Sequence, residues 1–311
     1  MRGLIDRGCS ADVTIAVPCR GDEPALTHTL EALAMAAVAL EDRGHRVCFA
    51  ICVNGPDGPA QGAAELFAAG EGRGRTSLLS LNEPDKAAAW NRLRSTCATE
   101  WIVFCDADVE PAPDALVRLA ESIESRPAAV VATARLEPDL AGASIVARAA
   151  ALPHRFDFGV VRGPLYLLRT AALARMPEGL LLEDAWLSAE LGARGAGAVL
   201  SVWSAVVRYR PAGTLSDYYR ERLRTEAGKI QIRVDRTRRG TPRVAIARYP
   251  WEHFLAEIGP REWPLVALNL GVRVVARAVA EYRARRGRRV GWAPVSSSKS
   301  AAAGSRPAGA K

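Results

Sequence analysis

The sequence predicts an α/β fold in which a mostly parallel, doubly wound sheet is flanked by helices, with a helical segment at the C-terminal end. Two observations carry this prediction. Short apolar segments rich in β-branched residues alternate with segments of helical periodicity over residues 11–135, an order typical of parallel sheets. The strongest apolar segment, Trp101–Phe104, ends at two aspartates, which places carboxylates at the edge where open α/β sheets bind ligands.

The individual elements follow from periodicity and from turn signals. Apolar segments predict strands over residues 11–18, 46–53, 77–81, 101–104, 130–135, 165–169 and 198–209. Apolar residues that recur every three or four positions predict helices over residues 23–40, 61–69, 85–96, 113–125, 141–151, 180–192, 215–233 and, with breaks, 251–286. In the first helix, Leu26, Leu30 and Leu33 share one face. Residues 153–164 are predicted to form a polar and aromatic loop.

The bulk properties indicate a large domain with an appendage. The chain has 311 residues, of which 49% are hydrophobic, and this is enough for a full core. We predict a main domain over residues 1–245 and a helical appendage over 246–290. The composition of residues 291–311, rich in Ser, Ala and Gly, is typical of a disordered tail.

Cellular location is inferred from the termini and the cysteines. The first dozen residues carry charge and no apolar core, so we expect no cleavable signal. No run of about 18 apolar residues occurs, so we expect no membrane-spanning helix. The six cysteines include no Cys-x-x-Cys pair, which favours buried free thiols in a reducing cytoplasm over a metal site or disulfides.

Charge is distributed unevenly along the chain. Residues 208–311 hold 23 Lys and Arg against 8 Asp and Glu, a net charge of +15, whereas the preceding residues carry a net charge of −7. Such asymmetry indicates an anionic partner for the C-terminal third. A diphosphate, an acidic lipid surface and a nucleic acid all meet this description.

Asp106 and Asp108 are the first candidates for a site. In an ideal strand they would point to opposite faces, so they act together only where the strand breaks into a turn, which Pro111 and Pro113 favour. Two carboxylates in such a turn suit Mg²⁺ or Mn²⁺ holding a diphosphate. The alternative is a surface turn with two solvated acids.

Six segments in a consistent order give the chain a resemblance to the family 2 glycosyltransferases of the GT-A fold, over about residues 12–228. These segments are VPCRGDEPAL, NEPDKAAAWNRL, WIVFCDADVEP, GPLYLLRTAAL, LLEDAWLSAEL and DYYRERLRTEAGK. Each segment is weakly specific by itself, but the six in order are a strong signal. The resemblance implies a Rossmann-like, mostly parallel sheet and transfer of a sugar from a nucleoside-diphosphate sugar with inversion.

The resemblance also implies which residues bind the donor. The implied nucleotide-sugar contacts are Pro18, Arg20, Glu23, Asn54, Asp57, Asn82, Lys86, Asp106 and Arg224. Family members usually place an acid at the end of the second strand to contact the base. Here Asn54 and Asp57 stand instead, and this departure leaves the base open. Pro18 and Asn54 could also be plain turn residues, and Lys86 a solvated lysine in the first turn of a helix.

Two acidic pairs would carry the chemistry. The resemblance implies Asp108 as the more direct metal ligand and turns Asp106 toward the ribose or the sugar. A divalent ion there, Mn²⁺ or Mg²⁺, would stabilise the departing diphosphate as a Lewis acid. The Glu183-Asp184 pair matches the family's Glu-Asp pair, whose aspartate is the proposed general base. The alternative is a pair of acids that merely satisfies a helix dipole.

The arginine-rich helix departs from the family pattern. Processive members carry Gln-x-x-Arg-Trp, whereas this chain has Glu221 through Thr225, with Arg224 matching the family arginine. Because the aromatic platform for a growing glycan is missing, we expect transfer of a single sugar. The arginines could alternatively form a solvated basic face. Residues 154–158 lie where family members vary with the acceptor, so we expect a lid there.

The C-terminal helix carries Leu265, Leu268, Val272 and Val275 at helical spacing, with charged residues on another stripe. An amphipathic helix with basic flanks can lie on an anionic membrane. The alternative is a helix packed on the body of the protein with a solvated basic face.

Together these observations predict a cytoplasmic glycosyltransferase, and they leave open a peripheral position on the inner face of the membrane. We expect a UDP-sugar donor, although GDP- and dTDP-sugars stay open, and a hydroxyl acceptor on a lipid, a glycan or a small metabolite. A sugar-1-phosphate nucleotidyltransferase is the rival enzyme, but its Gly-rich N-terminal loop is missing from Pro18–Pro24. A nucleic-acid- or membrane-binding protein is the non-enzymatic alternative, and it leaves both acidic pairs unexplained. We expect no nucleic-acid partner.

Overall fold

The computed structural model describes residues 11–172, 175–195, 197–241 and 257–288. Among these, the first of two compact units contains residues 11–137 and 159–208, and the second contains residues 138–158, 209–241 and 257–288. Two internal segments therefore group with the C-terminal helix. The boundary at residue 245 stays a prediction, and the tail predicted over 291–311 lies outside the described residues.

One sheet of eight strands forms the centre of the first unit. The strands are β1 (Val13–Arg20), β2 (Val47–Asn54), β3 (Thr76–Leu81), β4 (Trp101–Cys105), β5 (Val109–Pro111), β6 (Val131–Pro138), β7 (Leu165–Arg169) and β8 (Val199–Tyr209). Their order across the sheet is β3-β2-β1-β4-β7-β6-β8-β5. β1 is parallel to β2 and β4, β2 is parallel to β3, and β7 is antiparallel to β4 and β6. The carboxyl ends of β1 to β4 therefore meet at one edge.

The helices surround this sheet in the first unit and form most of the second unit. They are α1 (Leu26–Glu41), α2 (Pro59–Ala69), α3 (Lys86–Thr96), α4 (Ala115–Glu124), α5 (Ile145–Ala151), α6 (Glu183–Gly192), α7 (Leu215–Arg238) and α8 (Trp263–Arg285). The predicted apolar face of α1 is confirmed, since Leu26, Leu30 and Leu33 are buried. Helices α5, α7 and α8 belong to the second unit.

An aromatic stack lies beneath the carboxyl edge of the sheet. The Trp90 ring stacks on Phe104 with 4.8 Å between ring centroids, and Phe104 stacks on Tyr166 at 5.5 Å. Trp90 Nε1 also donates a hydrogen bond of 2.8 Å to the Tyr166 hydroxyl. All three side chains are buried, so they join α3, β4 and β7 into one apolar layer with its polar atoms paired.

The second unit is held together by α8 packing on α5 and α7. Val272 of α8 lies in a cluster with Ala150, Ala212 and Tyr218. Buried Asn269 donates hydrogen bonds to the Ala149 carbonyl at 2.8 Å and to the Tyr218 hydroxyl at 2.7 Å. Since a buried amide is costly without partners, this pairing sets the rotation of α8 about its axis.

Helices α5 and α7 differ from their predicted bounds by four and five residues, for local reasons. Helix α5 begins at Ile145 because Ser144 caps it, its hydroxyl accepting from the Ala147 amide at 3.1 Å, after a turn in which Gly142 has a φ of +66°. Helix α7 continues to Arg238, beyond the predicted end, because Ile232 and Arg236 extend its buried face.

Helix α8 also differs from the expectation about membranes. Residues Pro260–Arg285 form one helical segment that is long and apolar enough, by length and composition alone, to cross a membrane, with a mean hydropathy of 1.3 over its best 18 residues. The run-length criterion applied to the sequence did not find this segment, since Arg273 and Arg277 interrupt it. Helices that pack in the core of a protein pass the same test.

Candidate active site

The two aspartates of the Asp-x-Asp segment lie in the turn between β4 and β5, as the sequence predicted. Asp106 is half-buried and Asp108 is exposed. The Asp106 amide donates to the Pro164 carbonyl at 3.0 Å. Buried Thr29 of α1 places its hydroxyl 3.0 Å from the Ala107 carbonyl and 2.7 Å from the Val109 carbonyl. The aspartate turn is therefore fixed by α1 on one side and by the loop before β7 on the other.

Lys86 joins the two acidic pairs. It is the first residue of α3, whose N-terminus is capped by Asp85: one carboxylate oxygen accepts from the amides of Ala87 and Ala88, and the other accepts from Gly179. From this position Lys86 Nζ lies 2.6 Å from Asp106 Oδ1 and also forms an ion pair with Glu183. The alternative of a solvated first-turn lysine is therefore wrong.

Glu183 and Asp184 occupy the first turn of α6. Glu183 is 8% exposed and Asp184 is half-buried. Asp184 Oδ1 accepts from the Ala185 amide at 2.7 Å, and its main-chain carbonyl accepts from the Ser188 hydroxyl at 2.7 Å. A Cβ added at Gly163 would lie 3.4 Å from Asp184 Oδ2, so the loop before β7 passes close to this carboxylate.

Burial and mutual repulsion shift the pKa values in this cluster. Burial raises the pKa of Asp106 to about 6, with Glu183 and Asp108 adding to the rise and Lys86 opposing it. Burial likewise raises the pKa of Asp184 to about 6, with Glu183 as the next cause. Burial disfavours the charged form of Lys86, but the attraction of Asp106 and Glu183 outweighs it and raises the lysine pKa well above its usual range. Lys86 therefore stays an ammonium that pairs with two of the four carboxylates, Asp106 and Glu183.

The carboxylates of this cluster are hard oxygen donors of the kind that a divalent cation prefers. Within the described ranges, no group of three or more His, Cys, Asp and Glu side chains is arranged to hold a metal ion by itself. However, Mg²⁺ is commonly held by one or two carboxylates together with substrate phosphates. Asp106 and Asp108 supply two hard oxygen donors at the exposed end of the cluster. The residues present therefore fit a metal that is completed by a diphosphate.

The predicted donor-binding residues follow the carboxyl ends of β1, β2 and β3. Pro18 is buried within β1, and Arg20 at its end forms an ion pair with Asp22 at 2.8 Å. The side chain of Glu23 is buried and accepts from the Ala25 amide. Asn54 is buried too, and its amide donates to the Cys19 carbonyl at 2.9 Å. Asn54 therefore ties the ends of two strands together, whatever else it contacts.

Two glycines bring the loops after β1 and β2 into direct backbone contact. A Cβ at Gly21 would lie 1.8 Å from the Pro56 carbonyl oxygen, and one at Gly58 would lie 2.3 Å from the Gly21 oxygen. No other residue fits this approach. Asp57 is exposed in one of these loops, and Asn82 is exposed just after β3. Both stay candidates for contact with the base.

Arg224 and its neighbours lie on α7 in the second unit. Arg222 is nearly buried and pairs with Glu221, so it is not part of a solvated basic face, whereas the Arg220 side chain is 55% exposed. Arg224 is half-buried, and its contact with a diphosphate stays a prediction. Arg155, in the segment expected to form a lid, is held by Glu262 at 2.6 Å.

Sequence reasoning did not single out two residues that shape the site. Thr29 supports the aspartate turn, and Tyr166 lies under the cluster, where burial and then the charge of Glu183 raise its pKa well above the usual range. A signal existed in each case. Thr29 lies on the apolar face of α1, and Tyr166 carries a hydroxyl among the leucines of β7.

The model for "Glycosyl transferase family 2" matches residues 14–158. A mannosyltransferase from Pyrobaculum calidifontis, solved with GDP-Man and Mn²⁺, has a similar fold with a TM-score of 0.56 and 18% identity, covering 92% of this chain and 77% of that chain. A comparison with curated protein sequences gave no match.

Two further solved structures share the fold. Mannosyl-3-phosphoglycerate synthase from Rubrobacter xylanophilus gives a TM-score of 0.53 at 18% identity, covering 77% of this chain and 78% of that chain. Glucosyl-3-phosphoglycerate synthase from Mycobacterium tuberculosis gives a TM-score of 0.52 at 16% identity, covering 75% of this chain and 82% of that chain. The predicted GT-A fold is confirmed by these likenesses.

Proposed function

We propose that this chain is a glycosyltransferase that moves a single sugar, with inversion and with a divalent metal, from a nucleoside-diphosphate sugar to a hydroxyl. The match of residues 14–158 to the model for glycosyl transferase family 2 supports the proposal. The observation that carries the proposal is the position of Lys86, which bonds to Asp106 and to Glu183. It unites the Asp-x-Asp turn with the Glu-Asp helix start, although the family match ends before the second pair. A leaving-group site and a candidate base are thereby brought into one cluster.

The donor would be held at the carboxyl edge of the sheet. Asp108, with Asp106, would hold Mn²⁺ or Mg²⁺, which when bound neutralises the departing diphosphate as a Lewis acid. Lys86 would add a positive charge beside the phosphates, at a position set by the Asp85 cap. Pro18, Arg20, Glu23, Asn54, Asp57, Asn82 and Arg224 are the remaining proposed donor contacts.

Asp184 is the proposed general base. The acceptor oxygen attacks the anomeric carbon, the bond from that carbon to the diphosphate oxygen breaks, and the hydroxyl proton passes to the Asp184 carboxylate. With a pKa near 6, Asp184 is deprotonated at neutral pH and is also a stronger base than an exposed aspartate. Glu183, fixed by Lys86, would orient the sugar or the acceptor.

We also propose a donor class and a number of transfers per acceptor. We favour UDP-sugar, although the structure from P. calidifontis is described with GDP-Man and one from M. tuberculosis with UDP-Glc. Thr225 stands where processive family members carry Trp, which favours one transfer per acceptor. The described cysteines are all free, in keeping with a cytoplasmic protein, and an anionic membrane surface is the proposed macromolecular partner.

Thermal-shift screening of UDP-, GDP- and dTDP-sugars with and without Mn²⁺ tests the donor site. We expect one donor to stabilise the protein, and Mn²⁺ to enhance that shift; ligand at about 100 times its Kd adds about 2.7 kcal/mol to the free energy of unfolding. Release of nucleoside diphosphate from the matching donor then tests the reaction. Release of pyrophosphate from a nucleoside triphosphate and a sugar phosphate would instead indicate the nucleotidyltransferase.

A further inference from the structure

Helix α8 has two apolar faces, and the described part of the chain covers one of them. The inner face holds Asn269, Val272, Ala276 and Ala280, all buried against α5 and α7. The stripe expected from the sequence to meet a membrane belongs largely to this inner side, since Leu265 and Leu268 pack on the same clusters. For those residues the alternative of a helix packed on the protein is the correct one.

The outer face is apolar and exposed along almost the whole helix. It consists of Trp263, Ala267, Gly271, Val274, Val275, Ala278 and Tyr282, and we call this set the outer face. Its four large side chains are strongly exposed: Trp263 62%, Val274 67%, Val275 54% and Tyr282 53%. At 1.5 Å per residue the face is about 28 Å long. Contiguous exposed apolar surface of this kind marks an interaction site.

The C-terminal end of the outer face is strongly basic. Arg285, Arg286 and Arg288 are exposed there, and the Arg286 guanidinium lies over the Tyr282 ring at 5.0 Å from its centroid. At the opposite end lies Trp263. Tyr and Trp at the two ends of an apolar surface suit the boundary between hydrocarbon and headgroups, where their polar atoms stay hydrated.

We propose that the outer face of α8 docks on an anionic lipid surface, with the helix lying in the plane of the interface. The apolar side chains enter the headgroup boundary while the arginine cluster meets acidic headgroups. The charge of the cluster selects this partner over a neutral apolar surface, and the net charge of +15 over residues 208–311 adds to the attraction. The proposal does not rest on the transfer reaction.

A spanning orientation of α8 is disfavoured by its inner face. To cross a bilayer as an isolated helix, α8 would have to separate from Tyr218 and Leu223 and leave Asn269 without the partners that it has in the second unit. Arg273 and Arg277 would also enter the hydrocarbon. Lying in the interface keeps the inner contacts and exposes neither arginine to lipid tails.

Vesicle co-sedimentation of the full chain tests the proposal. We expect wild type to bind vesicles of about 30% phosphatidylglycerol in phosphatidylcholine, and to bind pure phosphatidylcholine at least about 100-fold more weakly. The double variant Val274→Glu/Ala278→Glu should lose about tenfold or more in partitioning, because two charges enter the apolar face. Leu66→Glu, at an exposed apolar position on α2, is the matched control and should bind like wild type.

The arginine cluster gives a second, graded readout. Each arginine near an anionic surface contributes about fivefold to partitioning, so Arg285→Gln/Arg286→Gln/Arg288→Gln should lose about 100-fold and most of the salt dependence. Circular dichroism of every variant checks that the fold persists.

Several results would overturn the proposal. The proposal is wrong if the wild-type protein stays in solution with all vesicles. It is also wrong if the Val274→Glu/Ala278→Glu variant binds vesicles as tightly as wild type does. A dimer in sedimentation velocity that the double variant dissociates would assign the outer face to a second copy of the chain. Binding that resists about 1 M salt and alkaline carbonate would indicate a spanning helix instead.

Discussion

The acidic cluster around Lys86 and the outer face of α8 break opposite rules of folding. In the first, Glu183 is buried and Asp106 and Asp184 are half-buried close to Lys86, although charge burial is costly. In the second, Val274 and Val275 remain in water although apolar surface is better buried. The burial of Asp106 and Asp184 and the exposure of these valines each cost free energy in the folded state. Each region is therefore best explained by something that it binds. We propose a cation with a diphosphate for the acidic cluster and a lipid surface for the outer face of α8.

The largest expected effect is on catalysis at Asp184. Asp184→Asn keeps the shape of the side chain but removes the base, so we expect kcat to fall about 10²- to 10⁴-fold while donor binding changes little. Steady-state kinetics and donor thermal shifts measure the two effects. Retained turnover with an intact donor shift would show that the base lies elsewhere.

The next effect concerns the metal. Asp108→Asn removes one of two proposed carboxylate ligands at the exposed end of the cluster. We therefore expect kcat to fall about 100-fold and the Mn²⁺ concentration that gives half-maximal activity to rise. The enhancement of the donor thermal shift by Mn²⁺ should disappear as well. Asp114→Asn, an exposed aspartate near the start of α4, is the control and should leave both measurements unchanged. An unaltered Mn²⁺ titration in Asp108→Asn would argue against its role as a ligand.

The two faces of α8 differ in what they contribute to stability. Val272→Ala, on the inner face, should lower the free energy of unfolding by about 2 kcal/mol, since it removes buried methyl groups and leaves a cavity. Val274→Ala, two residues away, should change it by about 0.5 kcal/mol or less. Chemical denaturation measures both. Equal costs would show that the outer face is covered by the protein itself.

The acidic cluster should make stability depend on pH. A carboxyl whose folded pKa is raised to about 6 binds more protons when folded than when unfolded, so its contribution to the free energy of unfolding falls as pH rises from about 4 to about 6. Asp184→Asn should therefore be more stable than wild type by about 1–2 kcal/mol at pH 7.5, and by less at pH 4.5. Denaturation of both proteins at these two pH values gives the difference. A difference that does not change with pH would mean that Asp184 is not destabilised by burial.

The smallest effect tests the support of the aspartate turn. Thr29→Val keeps the side-chain shape but removes the hydroxyl that bonds to the carbonyls of Ala107 and Val109. We expect a loss of about 1–2 kcal/mol in the free energy of unfolding and a modest fall in kcat with KM for the donor little changed. Thr27→Val, on the exposed side of the same helix, provides the comparison and should be neutral.

Much of the first unit could be predicted from the sequence, because its signals are local. Apolar periodicity placed β1 to β4 and α1 to α4 close to their observed bounds, and Pro111 and Pro113 indicated the turn after Asp106 and Asp108. The predicted start of α5 and the predicted end of α7 were less accurate. The Ser144 cap and the buried positions of Ile232 and Arg236 depend on packing partners that periodicity does not reveal.

The candidate site was predicted in its parts but not in its connections. The two acidic pairs and Lys86 were named from their segments, whereas the supporting roles of Thr29 and Tyr166 were not. Their hydroxyls act on residues far away in the chain, and no local pattern reports such a contact. The buried amide of Asn54 is a similar case, since its bond to Cys19 joins two strands.

The sequence by itself determined the order of the helices and of every strand except the short β5, the placement of carboxylates at the end of β4 and the start of α6, and the basic charge of the C-terminal third. These properties follow from residue type and short spacing, which act before the chain is compact. Only the tertiary structure decided that Lys86 joins Asp106 to Glu183, and which face of α8 is covered. Periodicity shows which residues share a face, but the partner that buries that face comes from elsewhere in the chain.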